Sequence, residues 1–220
     1  MALSGTKTFE LDVTEYIEEA FERCGLEVRT GYDLKTAKRS LNLMLAEWAN
    51  RGLNQWTIQR TTVTLVTGTR EYALGTDTID VLSAVVRRTG TDYAMARVSR
   101  DTDLNTPNKS TTGRPSQFFV ARSIDPVLLL WPTPENDTDI IILDRLVRMD
   151  DAATPSNTLD MPFRFYPALA AGLAYYISLK RSPQRTQLLK AVYEEEMERA
   201  MSEDRDRASL TIEPGGYGIM

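Results

Sequence analysis

The sequence predicts an α+β protein in which helices from both ends of the chain form a bundle, an antiparallel β domain is inserted between them, and an extended C-terminal tail follows. Three observations predict this. Apolar residues recur at helical spacing near both ends of the chain, and short runs in the middle alternate polar with β-branched residues. The last residues are too rich in proline and glycine to continue a helix. The expected divisions are 1–56 and 159–208 for the bundle, 57–158 for the β domain and 209–220 for the tail.

Val13, Ile17, Ala20, Phe21 and Cys24 mark the first helix, with Asp12 and Glu15 as a capping box and Gly25 as its stop. A second helix is expected from Asp33 as N-cap, with Leu34, Ala37, Leu41, Met44, Leu45 and Trp48 on its buried face and Gly52 at its end. Lys35, Lys38, Arg39, Asn42 and Glu47 fall on the opposite, solvated face. From Thr61 the pattern becomes strand-like, and Gly68-Thr69 reads as a tight turn into Arg70 to Leu74. Further strands are expected at 79–87, 93–98, 117–121, 127–131 and 140–146, and the polar stretch 101–115 reads as a long loop. Strands this short and this closely spaced suit an antiparallel sheet, sandwich or barrel.

Helix returns after Met161-Pro162, with Phe165, Ala168, Leu169, Gly172, Tyr176 and Leu179 on one face and Pro167 near its start. Its small residues allow another helix to approach closely. Ser182-Pro183 then opens the last helix, whose buried stripe is Leu189, Val192, Tyr193, Met197, Ala200 and Met201.

The residue inventory narrows the chemistry. The 220 residues include no histidine and one cysteine, which removes Ser-His-Asp and Cys-His nucleophile systems, thiolate metal clusters and nearly all zinc sites. Cys24 reads as a small buried hydrophobe. A net charge of -5 argues against broad gripping of nucleic acid phosphates, though an acidic wall past which DNA slides is compatible with it. The N-terminus lacks the features of a secretory signal, and no apolar run reaches the roughly 20 residues a bilayer requires. No membrane association is expected.

Candidate sites are few. Glu194, Glu195, Glu196 and Glu198, with Glu203, Asp204 and Asp206, form the densest acidic cluster, interspersed with Arg199, Arg205 and Arg207. Acids distributed around one helix read as a solvated face or channel wall, not as a catalytic pair across a cleft. Neither Gly113-Arg-Pro nor Pro214-Gly-Gly-Tyr-Gly has the Lys-Ser/Thr of a phosphate loop. Arg70, Arg87, Arg88, Arg97 and Arg100 read as an exposed strand face, and Trp56 as closing the helical core or lying at an interface. Catalytic, cofactor-binding and metal-ligating residues are therefore expected to be none. The tail differs: Leu210, Ile212, Pro214, Tyr217 and Ile219 give apolar anchors without a core of their own, suited to docking on a partner or a neighbouring subunit.

Four segments carry a family resemblance. Leu41-Asn-Leu-Met-Leu-Ala-Glu-Trp-Ala-Asn-Arg-Gly-Leu-Asn-Gln-Trp56 is similar to the second-helix segment of head-to-tail adaptors, or tail accessory (tubular) proteins, of short-tailed bacteriophages. Thr67-Gly-Thr-Arg-Glu-Tyr-Ala-Leu74, Leu130-Trp-Pro-Thr-Pro-Glu-Asn136 and Phe165-Tyr-Pro-Ala-Leu-Ala-Ala-Gly-Leu-Ala174 follow in the order seen there. The resemblance implies a structural, non-enzymatic connector in the virion, made in the host cytoplasm and assembled as a ring of twelve subunits between the portal protein and the tail nozzle. DNA would pass through the ring during genome ejection without sequence-specific binding. The bundle and C-terminal tail would face the portal, and the β part other tail proteins. The β insertion here is larger than in the compact, mostly helical relatives. Some relatives are linked to cell-wall hydrolysis, for which this sequence offers no residues. A virion-associated cell-wall hydrolase and a small DNA-binding regulator are the alternatives, and Leu34 to Arg51 makes a poor recognition helix.

Overall fold

The computed structural model describes residues 5–6, 8–51, 55–154 and 156–204, and within them the chain is mixed α and β. The first helix, α1 (Val13–Arg23), starts on a capping box in which Asp12 accepts from the Glu15 N–H and Glu15 accepts from the Asp12 N–H. Gly25, at φ +72°, takes the left-handed conformation that ends it.

The second helix, α2 (Gly31–Trp48), begins earlier than its apolar pattern suggests. Thr30 is the N-cap, and Asp33 is the third helical residue, closing the capping box with its carboxylate. An Asp in either place satisfies an orphan amide, so the residue signalled the helix start but not its register. Leu34 is half-buried, while Ala37, Leu41, Met44, Leu45 and Trp48 are buried as their spacing requires. The expected stop at Gly52 lies outside the described residues.

Ten strands follow, broken by one short helix. They are β1 (Ile58–Thr64), β2 (Glu71–Ala73), β3 (Thr78–Arg88), β4 (Thr91–Ala94), β5 (Ala96–Arg97), β6 (Thr112–Gly113), β7 (Gln117–Ala121), β8 (Val127–Trp131), β9 (Thr133–Pro134) and β10 (Ile140–Val147). One sheet has the order β1-β10-β3-β4, a second β2-β8-β7-β5, and β6 pairs with β9. Pairing within the first sheet is antiparallel, whereas β5–β7 and β6–β9 are short parallel pairs. Val81, Val86, Ile141 and Leu143 of the first sheet share one buried cluster with Phe118, Val120, Leu128 and Leu130 of the second. The two inner faces thus pack against each other as a sandwich.

One expectation for this region holds and one needs correction. Gly68 does form a turn, at φ +76°, but β1 and β2 are not partners across it. The turn carries the chain from one sheet to the other. Stretch 101–115 contains a helical turn, α3 (Arg100–Leu104), capped by Ser99, and the strand β6. Five residues are too few to show a helical period in sequence.

The chain returns to helix in α4 (Tyr166–Arg181), where Pro167 sits in the first turn and loses no intrahelical bond. From Ala168 to Ala174 every residue is buried, so α4 is covered all round rather than on one face. Leu179, expected inside, is 52% exposed, and Ile177 is buried in its place. A Cβ on Gly172 would lie 2.5 Å from Met44 Sδ and 2.8 Å from Tyr193 Cε2, which shows how closely the neighbouring helices approach.

The last helix, α5 (Thr186–Glu203), follows a 3₁₀ turn at Pro183–Arg185, and the Ser182 side chain makes no capping bond. The cap expected at Ser182 is replaced by that turn. The four long helices share one hydrophobic cluster that includes Ile17, Leu41, Trp48, Phe165, Leu169 and Tyr193. Ala152 joins it, and its N–H donates to Asn42 Oδ1, 2.9 Å away.

Candidate interaction surfaces

Most of the charged residues singled out in sequence prove to be tied to one another. Arg51 lies between α2 and α5, with its guanidinium 2.9 Å from Glu194 and 2.6 Å from Glu47. It also covers the Tyr193 ring, whose hydroxyl accepts from Trp48 Nε1 at 2.7 Å and donates to Glu47. Burial raises the Tyr193 pKa, while the Arg51 guanidinium holds Glu194 below the usual carboxylate range. Glu195 and Glu196 pair with Arg199 one turn on. These are exposed helix pairs, worth about 0.3–0.5 kcal/mol each, and they form a solvated face. Glu198 is also exposed.

Asp204 stands apart from that acidic series. It is buried, accepting from the Arg164 guanidinium and from the Gln55 N–H at 2.9 Å. The end of α5 is thereby joined both to the start of α4 and to the approach to β1. Nothing in the local acidic run distinguishes Asp204 from its neighbours, because its partners lie 40 and 149 residues away. Beside this junction Trp56 packs on Phe165 with ring centroids 4.4 Å apart, closing the helical core as expected.

Arg87, Arg97 and Arg100 are exposed as expected, whereas Arg70 and Arg88 are less exposed than a solvated strand face requires. Arg70 pairs with Asp103 where both side chains are largely buried, and Arg88 forks onto the buried Asp139 while reaching Glu135. Arg97 bonds Asp80, Arg87 bonds Asp92, and Arg100 lies over the Phe119 ring. Across the outer face of the first sheet, Arg60 and Asp144 join β1 to β10. Arg60, Arg70, Arg87, Arg88 and Arg97 thus each have an acidic partner within the chain, which lowers their availability for DNA phosphates.

Cys24 is buried and its thiol donates to the Ala174 carbonyl, 3.2 Å away; burial pushes its pKa up. Gly113 is in β6, and Arg114 beside it covers the Tyr93 ring at 3.8 Å. Among the described residues no group of three or more acidic or cysteine side chains is placed to hold a metal ion, and no helix is long and apolar enough to cross a membrane. The proposed anchors Leu210, Ile212, Pro214, Tyr217 and Ile219, like Arg205, Asp206 and Arg207, lie outside the described residues.

A surface not anticipated from sequence runs along α1. A groove of about 470 Å³ has Leu11, Tyr166, Pro167 and Ala170 as apolar lining, with Glu15, Glu18 and Glu22 of α1 beside them. Phe9, 72% exposed, stands at the same groove. The Glu15, Glu18 and Glu22 spacing was visible in sequence as the polar side of an amphipathic helix, but its pairing with the first turn of α4 was not.

A family model for the SU10 adaptor protein matches residues 12–215, which takes in the helices, both sheets and part of the tail. The chain belongs to the SU10 adaptor protein family. It is therefore a phage head-tail adaptor, as the four sequence segments implied. The family assignment accounts for a molecule whose charged side chains serve intrachain ion pairs and whose surface carries an apolar groove, since an adaptor works through contacts with other head and tail proteins. No curated protein matches the chain.

Proposed function

We propose that this SU10-family adaptor is the structural head-to-tail connector of a phage virion, closing as a homo-oligomeric ring of twelve between the portal protein and the tail, with DNA passing through the ring. The observation that carries the reading is the family match over residues 12–215. The two hydrophobic clusters support a division of labour, with the helical unit (1–56 and 159–208) turned to the portal and the inserted β unit (57–158) to other tail proteins. The tail from 209 to 220 serves as the portal anchor. The role is structural rather than enzymatic: the acids of α5 are drawn to Arg51 and Arg199 along one helix face, not set across a cleft.

Ring closure on a portal with repeated sites multiplies weak subunit contacts, so assembly is expected to depend on the partner. Mixing the purified chain with its portal at near-physiological salt should give one defined ring complex on sizing and by electron microscopy. Failure to co-migrate would overturn the connector reading. The same preparation should leave peptidoglycan intact in a zymogram; clearing that disappears in Glu194→Gln, Glu195→Gln or Glu198→Gln would show an enzyme instead.

A further inference from the structure

Two surfaces of the helical region carry charges that have no ion-pair partner among the described residues. On α1, Glu18 and Glu22 are exposed and have no ion-pair partner among the described residues, whereas Glu19 pairs with Arg23 and Glu15 serves the helix cap. They stand beside the apolar lining of the groove that α1 forms with the first turns of α4. On α2, after its first residue Gly31, the exposed positions are Tyr32, Lys35, Arg39, Leu43 and Ala46. These fall three or four residues apart and so share one stripe of the helix. Tyr32 is 67% and Leu43 57% exposed, so the stripe carries apolar side chains on both sides of its two charges. Lys35 and Arg39 between them have no ion-pair partner among the described residues, in a chain where Arg23, Arg51, Arg60, Arg70, Arg87 and Arg88 are all paired.

We propose that the groove on α1 receives the α2 stripe of a second copy of this chain. The complementarity has two parts: Lys35 and Arg39 meet Glu18 and Glu22, and the apolar side chains Tyr32 and Leu43 meet the groove lining with Phe9. Within one chain the two surfaces are distinct, because none of the groove's lining residues comes from α2. The contact is therefore heterologous, joining the front of one subunit to the back of the next, and such contacts close into rings when the rotation between subunits permits. Opposite charges set the register and direction of approach, while the apolar pair supplies buried area. This inference rests on the connector reading and names the subunit contact within it.

Two measurements test the contact without relying on attachment to the portal. A carbodiimide, which joins a carboxylate to a lysine amine only where they touch, is applied to a mixture of isotope-labelled and unlabelled chains, both concentrated alone and on the portal. Mixed-label peptides joining Glu18 or Glu22 to Lys35 are expected; assembled chains that give none overturn the proposal. In the second, the wild type is expected to self-associate weakly in sedimentation velocity at high concentration and low salt, short of the ring that the portal completes, and E18K/E22K and K35E/R39E are each expected to lose that association. An equimolar mixture of the two restores opposite charges at every contact, as does the quadruple variant, and both should reassemble. All four sites are exposed, and circular dichroism of each variant is the check that it is folded. If both reversals assemble as the wild type does, the docking proposal fails and the connector reading stands. If the wild type assembles neither alone nor on its portal, both fall together.

Discussion

At Gly172 the absence of a side chain is what lets three helices meet. A Cβ there would press on Met44 Sδ and on the Tyr193 ring, and Tyr193 is itself held by Trp48, Glu47 and Arg51. Met44 has a flexible end and can shift a little, but the tyrosine ring cannot move without breaking its hydrogen bonds. Gly172→Leu should therefore destabilise the fold by about 1–3 kcal/mol through overpacking, offset only slightly by leucine's better helix propensity. Urea denaturation would show a lower midpoint with an unchanged slope; an unchanged midpoint would mean that the helices separate more easily than their packing indicates. Sequence alone showed that position 172 lies in a run of small residues. It could not show that all sides of α4 are covered, because an all-round apolar helix has no stripe from which to read a direction.

Several ion pairs act at the level of elements, as clasps between neighbours. Arg60–Asp144 joins β1 to β10, Arg87–Asp92 joins β3 to β4, and Arg51–Glu194 joins α2 to α5. In each the arginine holds its carboxylate below the ordinary range, and hydrogen bonds from Thr30 and Thr67 do the same for Asp33 and Asp137. The folded chain consequently binds fewer protons in acid than the unfolded chain does. This contribution is complete above the unfolded carboxylate values, near pH 4, and is lost as pH falls through the depressed folded ones. Melting temperature should be level from pH 7 to about 5 and then decline steeply toward pH 3, with Asp144→Asn and Glu194→Gln flattening part of the decline. A melting temperature that holds to pH 3 would contradict it. The individual clasps join residues as far apart as 143 positions, which is why composition disclosed many charges but not which would pair. Strand positions were legible from alternation, as 117–121 and 127–131 show, whereas strand partners were not. The turn at Gly68 has ordinary hairpin chemistry, yet β1 pairs with β10 and β2 with β8, because the two-sheet core dictates which edges meet.

For the whole molecule, Asp204 is a point where distant parts of the chain are joined. Its carboxylate binds Arg164 and the Gln55 N–H, so the last turn of α5 is fastened to elements from two other parts of the chain. Removing Ser209 to Met220 should therefore leave helix content and melting temperature unchanged. The removed segment carries Leu210, Ile212, Tyr217 and Ile219, separated by residues that include Pro214 and three glycines. A segment of this composition suits extended docking in a groove or along a sheet edge. Ordering it on a partner costs roughly 1–2 kcal/mol per residue for the backbone alone. Each large apolar side chain seated in a complementary site returns about 1.5–3 kcal/mol. The backbone cost of the whole segment exceeds what its four seated side chains return, so the segment contributes net affinity only if most of its anchors are seated together and its backbone bonds the partner as well. The single replacements Ile212→Ser and Tyr217→Ser should then each weaken portal capture measurably, and deletion should weaken it further while leaving self-association through the helices intact. Pull-down on immobilised portal, read beside sedimentation of the same variants, separates these effects. Capture that survives deletion at full strength would remove the tail from the portal contact and assign attachment to the helical region alone.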